Sequence, residues 1–229
     1  MDQLKSALIE HLSGCITESR LGIFRRVLAE RTRYITILLE DIYQSQNASA
    51  VLRTSDCIGI QDVHIVEGLN EYQVDREVAL GSDQWLSLQY YKKGPDNIQM
   101  ATESLKRAGY RIVATSPNRE GITPGNFNLE KGKVALMFGT ELNGLTDRAL
   151  ELADEYIQIP MVGFTESYNI SVSAAITLYS LRKRLEVSSL DWKISEEEQS
   201  ELLLKWLRTS IKMSGVIEKR FIETYNSDF

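Results

Sequence analysis

Three stretches of this chain hold residue types whose spacing suits work on an anion or on an oxygen nucleophile. The first is Asn47-Ala-Ser-Ala-Val-Leu-Arg53. Asparagine offers a donor and an acceptor, and the arginine beyond it offers a charged fork that matches a phosphate or an oxyanion. The second is Phe138-Gly139-Thr140-Glu141-Leu142-Asn143-Gly144. Here an apolar run enters a turn with glycine at both ends, so backbone can approach a ligand closely, and Glu141 stands just past the run. The third is residues 159–176, IPMVGFTESYNISVSAAI. A strand ends at Pro160, a loop of small and polar residues follows, and a helix rich in Ser and Ala begins near Asn169. The free N–H groups of such a helix start, with Ser167 and Asn169 beside them, suit a negatively charged group. Each stretch also has a plainer reading. Asn47 can be a helix N-cap and nothing more, and Arg53 can pair with Asp56 on a helix surface. The second stretch can be a glycine turn with a solvated Glu141, and the third an ordinary strand-to-helix connection.

The elements that must position these residues follow from periodicity. Residues 35–40 (ITILLE), 63–67, 85–90, 110–115, 134–139 and 156–160 read as strands. Helical spacing of apolar residues occurs over 2–12, 20–33, 47–58, 96–108, 169–186 and 196–214, with a short helix after Thr146. Asn47 is placed to cap the helix that Gly59 stops. Residues 68–83 and 116–130 read as loops. Strands that alternate with helices predict an α/β fold, a mostly parallel sheet with helices on both faces. Ligands of such sheets sit at the strand carboxyl ends, where all three stretches fall. The core is expected over residues 34–186, with helical extensions at 1–33 and 187–229.

Composition narrows the chemistry. No apolar run reaches the ~20 residues of a membrane span, and the first residues form an amphipathic pattern instead of a signal peptide. Cys15 and Cys57 give neither a disulfide framework nor a metal spacing, which suits reduced thiols in a cytoplasmic protein. His11 and His64 are the only histidines. A histidine metal site or a Ser-His-Asp triad is therefore hard to build. Neither G-x-G-x-x-G nor the P-loop pattern occurs where it would need to. The net charge is −6, yet Arg20, Arg25, Arg26, Arg31 and Arg33 crowd the start. Arg182, Lys183 and Arg184, then Lys205, Arg208, Lys212, Lys219 and Arg220, gather toward the end. These basic regions suit a phosphate-binding surface on an acidic body, or simply solvated helix faces.

Together, in this order, N-A-S-A-V-L-R, V-A-L-M-F-G-T-E-L-N-G-L and I-P-M-V-G-F-T-E-S-Y-N-I-S-V-S-A-A-I resemble the three motifs of the SpoU branch of the SPOUT RNA methyltransferases. The resemblance spans residues 34–186. It implies a deep trefoil knot over about residues 134–180, a homodimer, S-adenosylmethionine as cofactor and no metal. It implies a structured RNA as partner, with methyl transfer to a ribose 2′-hydroxyl. Backbone near Thr115, Gly139, Ile159, Met161 and Tyr168 would hold the cofactor. Arg53 matches the family's catalytic arginine, as a base or as a stabiliser of the developing alkoxide. Asn47 would orient Arg53 or the ribose, and Glu141, Ser167 and Asn169 match the remaining polar positions. The short terminal helices and the GSDQW stretch are similar to those of the family's tRNA guanosine methyltransferases, which points to guanosine 18 of the D-loop. Another tRNA site, a ribosomal RNA, or a non-catalytic RNA-binding role are the alternatives. Gln44-Ser-Gln46 and Tyr168 depart from the usual Lys-Pro-His and leucine, which bears on the substrate more than on the chemistry.

Overall fold

Residues Ile35–Glu40 are apolar on both sides of an extended chain, and a strand of that kind is stable only where both faces of a sheet are covered. The computed structural model describes residues 3–92, 94, 96–116, 121–140 and 142–227, and in it all six residues of this strand are buried. In chain order the elements begin with helices α1 (Gln3–Ser13) and α2 (Glu18–Leu28), strand β1 (Ile35–Glu40), helix α3 (Ser45–Ile58) and strand β2 (Asp62–Val66). The single-turn helix α4 (Arg76–Ala79), strand β3 (Ser87–Tyr91), helix α5 (Asn97–Arg107) and strands β4 (Arg111–Thr115) and β5 (Val134–Phe138) come next. Helix α6 (Asp147–Leu152), strand β6 (Glu155–Ile157) and helices α7 (Ile170–Glu186), α8 (Glu196–Ser210) and α9 (Ser214–Ser227) complete the chain.

The six strands form one sheet in the order β3-β2-β1-β5-β4-β6, and every pairing is parallel. Parallel neighbours need crossover connections, and these lay helices on both faces. Alternate residues of β1 face opposite cores. Ile35, Ile37 and Leu39 pack with Val51 and Leu52 of α3 and with Ala174, Leu178 and Leu181 of α7. Leu38 packs on the other side with Ile98, Ala101 and Leu105 of α5 and Ala149 of α6. Each large side chain buried in this way stabilises the fold by roughly 2 kcal/mol. The strand order reverses between β1 and β5, so the carboxyl ends of these two strands form the crevice of the sheet.

Residues Thr32–Trp192 make one compact unit. Met1–Arg31 and Lys193–Phe229 make the other. The second unit has its own core, in which Leu8, Leu12, Leu28 and Leu207 are buried. The edge of Phe24 meets Trp206 with ring centroids 5.6 Å apart. Helix α8 starts on a capping box in which Ser195 and Glu198 satisfy each other's backbone N–H.

Several boundaries differ from those expected. The helix read over residues 20–33 stops at Leu28, and Thr32 instead pairs with Ile60. The strand read to Pro160 stops at Ile157, because its partner β4 ends at Thr115, opposite Ile157. The loop read over residues 68–83 contains α4, capped by the Asp75 carboxylate. Helix α9 lay beyond the helices read from periodicity, and it follows a left-handed residue, Met213. Part of the basic charge is structural. Arg31 is fully buried with its guanidinium 5.3 Å from the Trp206 ring centre. Arg33 pairs with Asp62 at 2.9 Å. Arg182 lies 3.9 Å above the Trp192 ring and donates to the Ile58 carbonyl.

His64, read as a packing residue, lies in β2 with its Nδ1 3.0 Å from the Tyr91 hydroxyl. Burial pushes its pKa from 6.5 down to about 4. The unfolded chain therefore takes up this proton near pH 6.5 and the folded protein only near pH 4, so stability is lost as pH falls through that window. The urea midpoint should drop more steeply across this window in the native protein than in His64→Gln, which has no proton to gain. Equal slopes would contradict the assignment.

Candidate active site

The chain leaving β4, the turn after β5 and the loop after β6 enclose a cavity of about 460 Å³. That volume lies within the range of small-molecule pockets. The β5 turn is held by two backbone bonds, Thr140 N–H to Gly144 O at 2.9 Å and Gly144 N–H to Thr140 O at 3.0 Å. Gly144 adopts φ 71°, which favours glycine. Gly139 has no room for a side chain, since a Cβ there would collide with the Gly144 carbonyl and the Leu145 nitrogen. The turn thus presents bare backbone to the cavity. Its other walls are the 159–168 segment and the first turns of α7, through Ile170, Ser173 and Thr177.

All five residues expected at a cofactor, Thr115, Gly139, Ile159, Met161 and Tyr168, line this cavity, and Ser167 lines it too. The Thr115 hydroxyl already donates to the Met137 carbonyl at 2.7 Å, so Thr115 presents chiefly its backbone. Asn47, Arg53 and Asn169 are not among the described residues that line the cavity. Asn169 is the N-cap of α7, and its Oδ1 accepts from Ser171 N–H at 2.9 Å. Its Nδ2 donates to Asn47 Oδ1 at 3.1 Å. This bond joins the first and third stretches across 122 positions of sequence.

Asn47 is not the N-cap of its helix, as had been expected. Gln44 holds that position with extended φ and ψ, and the chain is already helical at Ser45. Asn47 sits in the first turn, where its amide donates to Gln44 Oε1 at 3.1 Å and its oxygen receives Asn169. Arg53 is exposed on α3, and no described residue pairs with its guanidinium, so the ion pair with Asp56 does not form. Glu141 lies outside the described residues.

Other polar groups at the cavity were not singled out in the sequence: Ser116, Asn143, Asp147, Glu166, Ser173 and Thr177. Asn143 and Glu166 lie within the second and third stretches, so extending attention to every polar residue there would have found them. Ser173 and Thr177 are spaced by one helical turn of α7 and are recognisable only once its face is known. Thr177 Oγ1 is buried there with no hydrogen-bond partner. Two exposed carboxylates at the cavity, Asp147 and Glu166, favour a ligand with positive charge, while free backbone and hydroxyls supply neutral hydrogen bonds. The residues present therefore fit S-adenosylmethionine, which carries cationic, hydroxyl and amide-like edges. Among the described residues no group of three or more His, Cys, Asp or Glu side chains could hold a metal ion. None of their helices is long and apolar enough to cross a membrane.

A parallel sheet with a cavity built from a glycine turn and a polar helix start is shared with SPOUT-type domains, as the family pattern and the solved structures show. The chain belongs to the SpoU rRNA methylase family, whose pattern matches residues 34–179. It is 47% identical over 207 residues to a tRNA (guanosine(18)-2′-O)-methyltransferase of Borreliella burgdorferi, covering 90% of this chain and 93% of that one. An enzyme of the same name from Thermus thermophilus is 34% identical, over 84% of this chain and 97% of the relative. Among solved structures, the TrmH/SpoU tRNA modifying enzyme of A. aeolicus superposes with a TM-score of 0.74 at 28% identity, covering 85% of this chain and 98% of that one.

Gly139→Ala tests the turn directly. The added methyl must displace the Gly144 carbonyl, and overpacking of this kind costs on the order of 1–3 kcal/mol. Denaturant unfolding should show a loss of that size. A variant as stable as the native protein would mean that the turn opens freely.

Proposed function

We propose that the protein uses S-adenosylmethionine to methylate the ribose 2′-hydroxyl of guanosine 18 in the D-loop of tRNA. The observation that carries the chemistry is the meeting of three distant stretches: two form the cavity walls, and the third joins the helix start beside them through Asn47 and Asn169. The choice of substrate is supported by the 47% identity to the Borreliella burgdorferi enzyme over nearly the whole chain.

When bound, S-adenosylmethionine supplies an electrophilic methyl group on a sulfonium. Backbone of the Gly139 turn, with Thr115, Ile159, Met161 and Tyr168, would hold it, and Asp147 and Glu166 suit its positive charge. A ribose hydroxyl is weakly acidic, so transfer needs stabilisation of the oxyanion as its proton leaves, together with alignment. Guanidinium stays protonated in proteins. Arg53 therefore acts as a fixed positive charge that grips an RNA phosphate and steadies the alkoxide, while the proton passes to phosphate or water. The N-terminal ends of α3 and α7 meet at the Asn47–Asn169 bond and add their dipoles to the attraction for phosphate. Asn47 orients the ribose, Ser167 and Asn169 shape the loops around it, and Glu141 is assigned with them by its family motif alone.

Arg53 stands outside the cavity wall of its own chain, which supports a homodimer in which the substrate bridges two copies. An apolar stripe on α7, Val172, Ile176 and Tyr179 at successive turns, is exposed and supports that assembly, as do exposed Val162 and Phe164. Family membership and the crowding of the β5, β6 and α7 segments around one cavity support a trefoil knot over about residues 134–180. Exposed Arg25 and Arg26 on α2 suit the backbone of tRNA. A cytoplasmic location fits a tRNA substrate and two free cysteines.

Methyl transfer from labelled S-adenosylmethionine to unmodified tRNA and to ribosomal RNA, with the methylated nucleotide mapped, tests the proposal. Guanosine 18 is the expected product, and a different nucleotide would overturn the substrate. Arg53→Ala should keep its fold and cofactor affinity and lose transfer by roughly 10²–10³-fold, the scale of a lost oxyanion partner. Near-normal turnover would remove Arg53 from the mechanism. Arg25→Glu with Arg26→Glu should weaken tRNA binding and leave cofactor affinity alone; unchanged tRNA affinity would exclude this surface.

A further inference from the structure

The last residue of β1, Glu40, is buried at the crevice end of the central strand. Its two oxygens are both committed to one residue. Glu40 Oε2 accepts from the Thr146 backbone N–H at 2.9 Å, and Glu40 Oε1 accepts from the Thr146 hydroxyl at 2.6 Å. The Thr146 hydroxyl oxygen in turn accepts from Ala149 N–H at 3.1 Å, as the N-cap of α6. Thr146 directly follows Gly144 and Leu145, which line the cavity. The incoming leg of this turn is fixed by β5, which pairs with both of its neighbours in the sheet. The outgoing leg has no strand to hold it.

We propose that Glu40 is a positioning residue for methyl transfer: by receiving both donors of Thr146, it fixes the outgoing leg of the glycine turn that forms one wall of the cofactor cavity. The inference rests on the methyltransferase reading above. Its physical basis is that a buried carboxylate is costly unless its oxygens are satisfied. The strand end and the cap of α6 are therefore bound to each other, and the turn between β5 and α6 is held at both ends. Burial raises the pKa of Glu40, and the two Thr146 donors oppose that rise by favouring the ionised form. An ionised carboxylate is also the form that accepts at both oxygens. Asp41, next in the chain, adopts φ 50° and receives Gly68 N–H at 3.0 Å and Asn70 N–H at 2.8 Å. The two adjacent carboxylates thus turn to different loops, Glu40 toward the cavity turn and Asp41 toward the chain after β2.

The test compares Glu40→Gln, Thr146→Val and the double variant with the native protein. S-adenosylmethionine affinity is measured by calorimetry, tRNA affinity by filter binding and folding by circular dichroism. Glu40→Gln keeps one acceptor for the Thr146 N–H but sets an amide N–H₂ against the hydroxyl. Cofactor affinity should fall roughly ten-fold, the scale of one charge-assisted hydrogen bond. Affinity for tRNA should stay within about two-fold, because RNA is held elsewhere. Thr146→Val should weaken cofactor binding at least as much, because it also removes the α6 cap, and the double variant should be little worse than Thr146→Val, since both remove the Glu40–hydroxyl contact. Native cofactor affinity in either folded single variant would overturn the proposal, as would an equal loss for cofactor and tRNA, the mark of a general structural role. If Glu40→Gln fails to fold, Thr146→Val alone decides by the same criterion. Absence of cofactor binding by the native protein would instead overturn the methyltransferase reading, and this inference with it.

Discussion

All six strands run in one direction, and that constraint sets where everything else lies. A parallel strand cannot return through a tight turn, so each connection crosses a face of the sheet and each strand delivers its chain to the same edge. Loops that leave β4, β5 and β6 are therefore forced together. The crossover helices cover the sheet, which is why β1 can be buried along its whole length. Ligand-binding loops and core packing are two results of the same directionality.

Close approach of backbone does the rest. The turn after β5 folds onto itself because Gly139 has no Cβ, and α3 packs against α7. Ala48, Val51 and Leu52 of α3 share one buried core with Ala174, Leu178 and Leu181 of α7. The starts of the two helices are near enough for a side-chain bond between Asn47 and Asn169.

Charge is divided by environment. Arg31 and Arg182 are buried against tryptophan rings, where a weakly hydrated planar guanidinium is tolerated better than an ammonium. Arg53 stays in water without a described partner, which leaves its whole charge for a phosphate. Carboxylates face the cavity at Asp147 and Glu166, and Glu40 behind it is tied to Thr146. Negative side chains at the cavity and the exposed Arg53 are thus kept apart in a protein whose net charge alone, −6, says little about either.

By itself the sequence determined the strands, most of the helices and the three stretches, because strand and helix periods and glycine turns are local properties. Gly139 was legible at the end of a recognisable strand and Ser167 in the polar loop before α7, whereas Ile159, Met161 and Tyr168 were legible through the resemblance of their stretch to a family motif. Only the tertiary structure decided what those residues meet. Asn47 had the type of an N-cap, yet Gln44 took that place and Asn47 turned to a residue 122 positions away. Arg31 and Arg53 look alike in sequence, and only packing buried one and exposed the other. Glu40 reads as the polar end of an apolar strand, and nothing local reveals that it would accept both donors of Thr146. Periodicity reports which face of an element is apolar, but partners across the sheet are chosen by strand order and crossover geometry, which are properties of the whole chain.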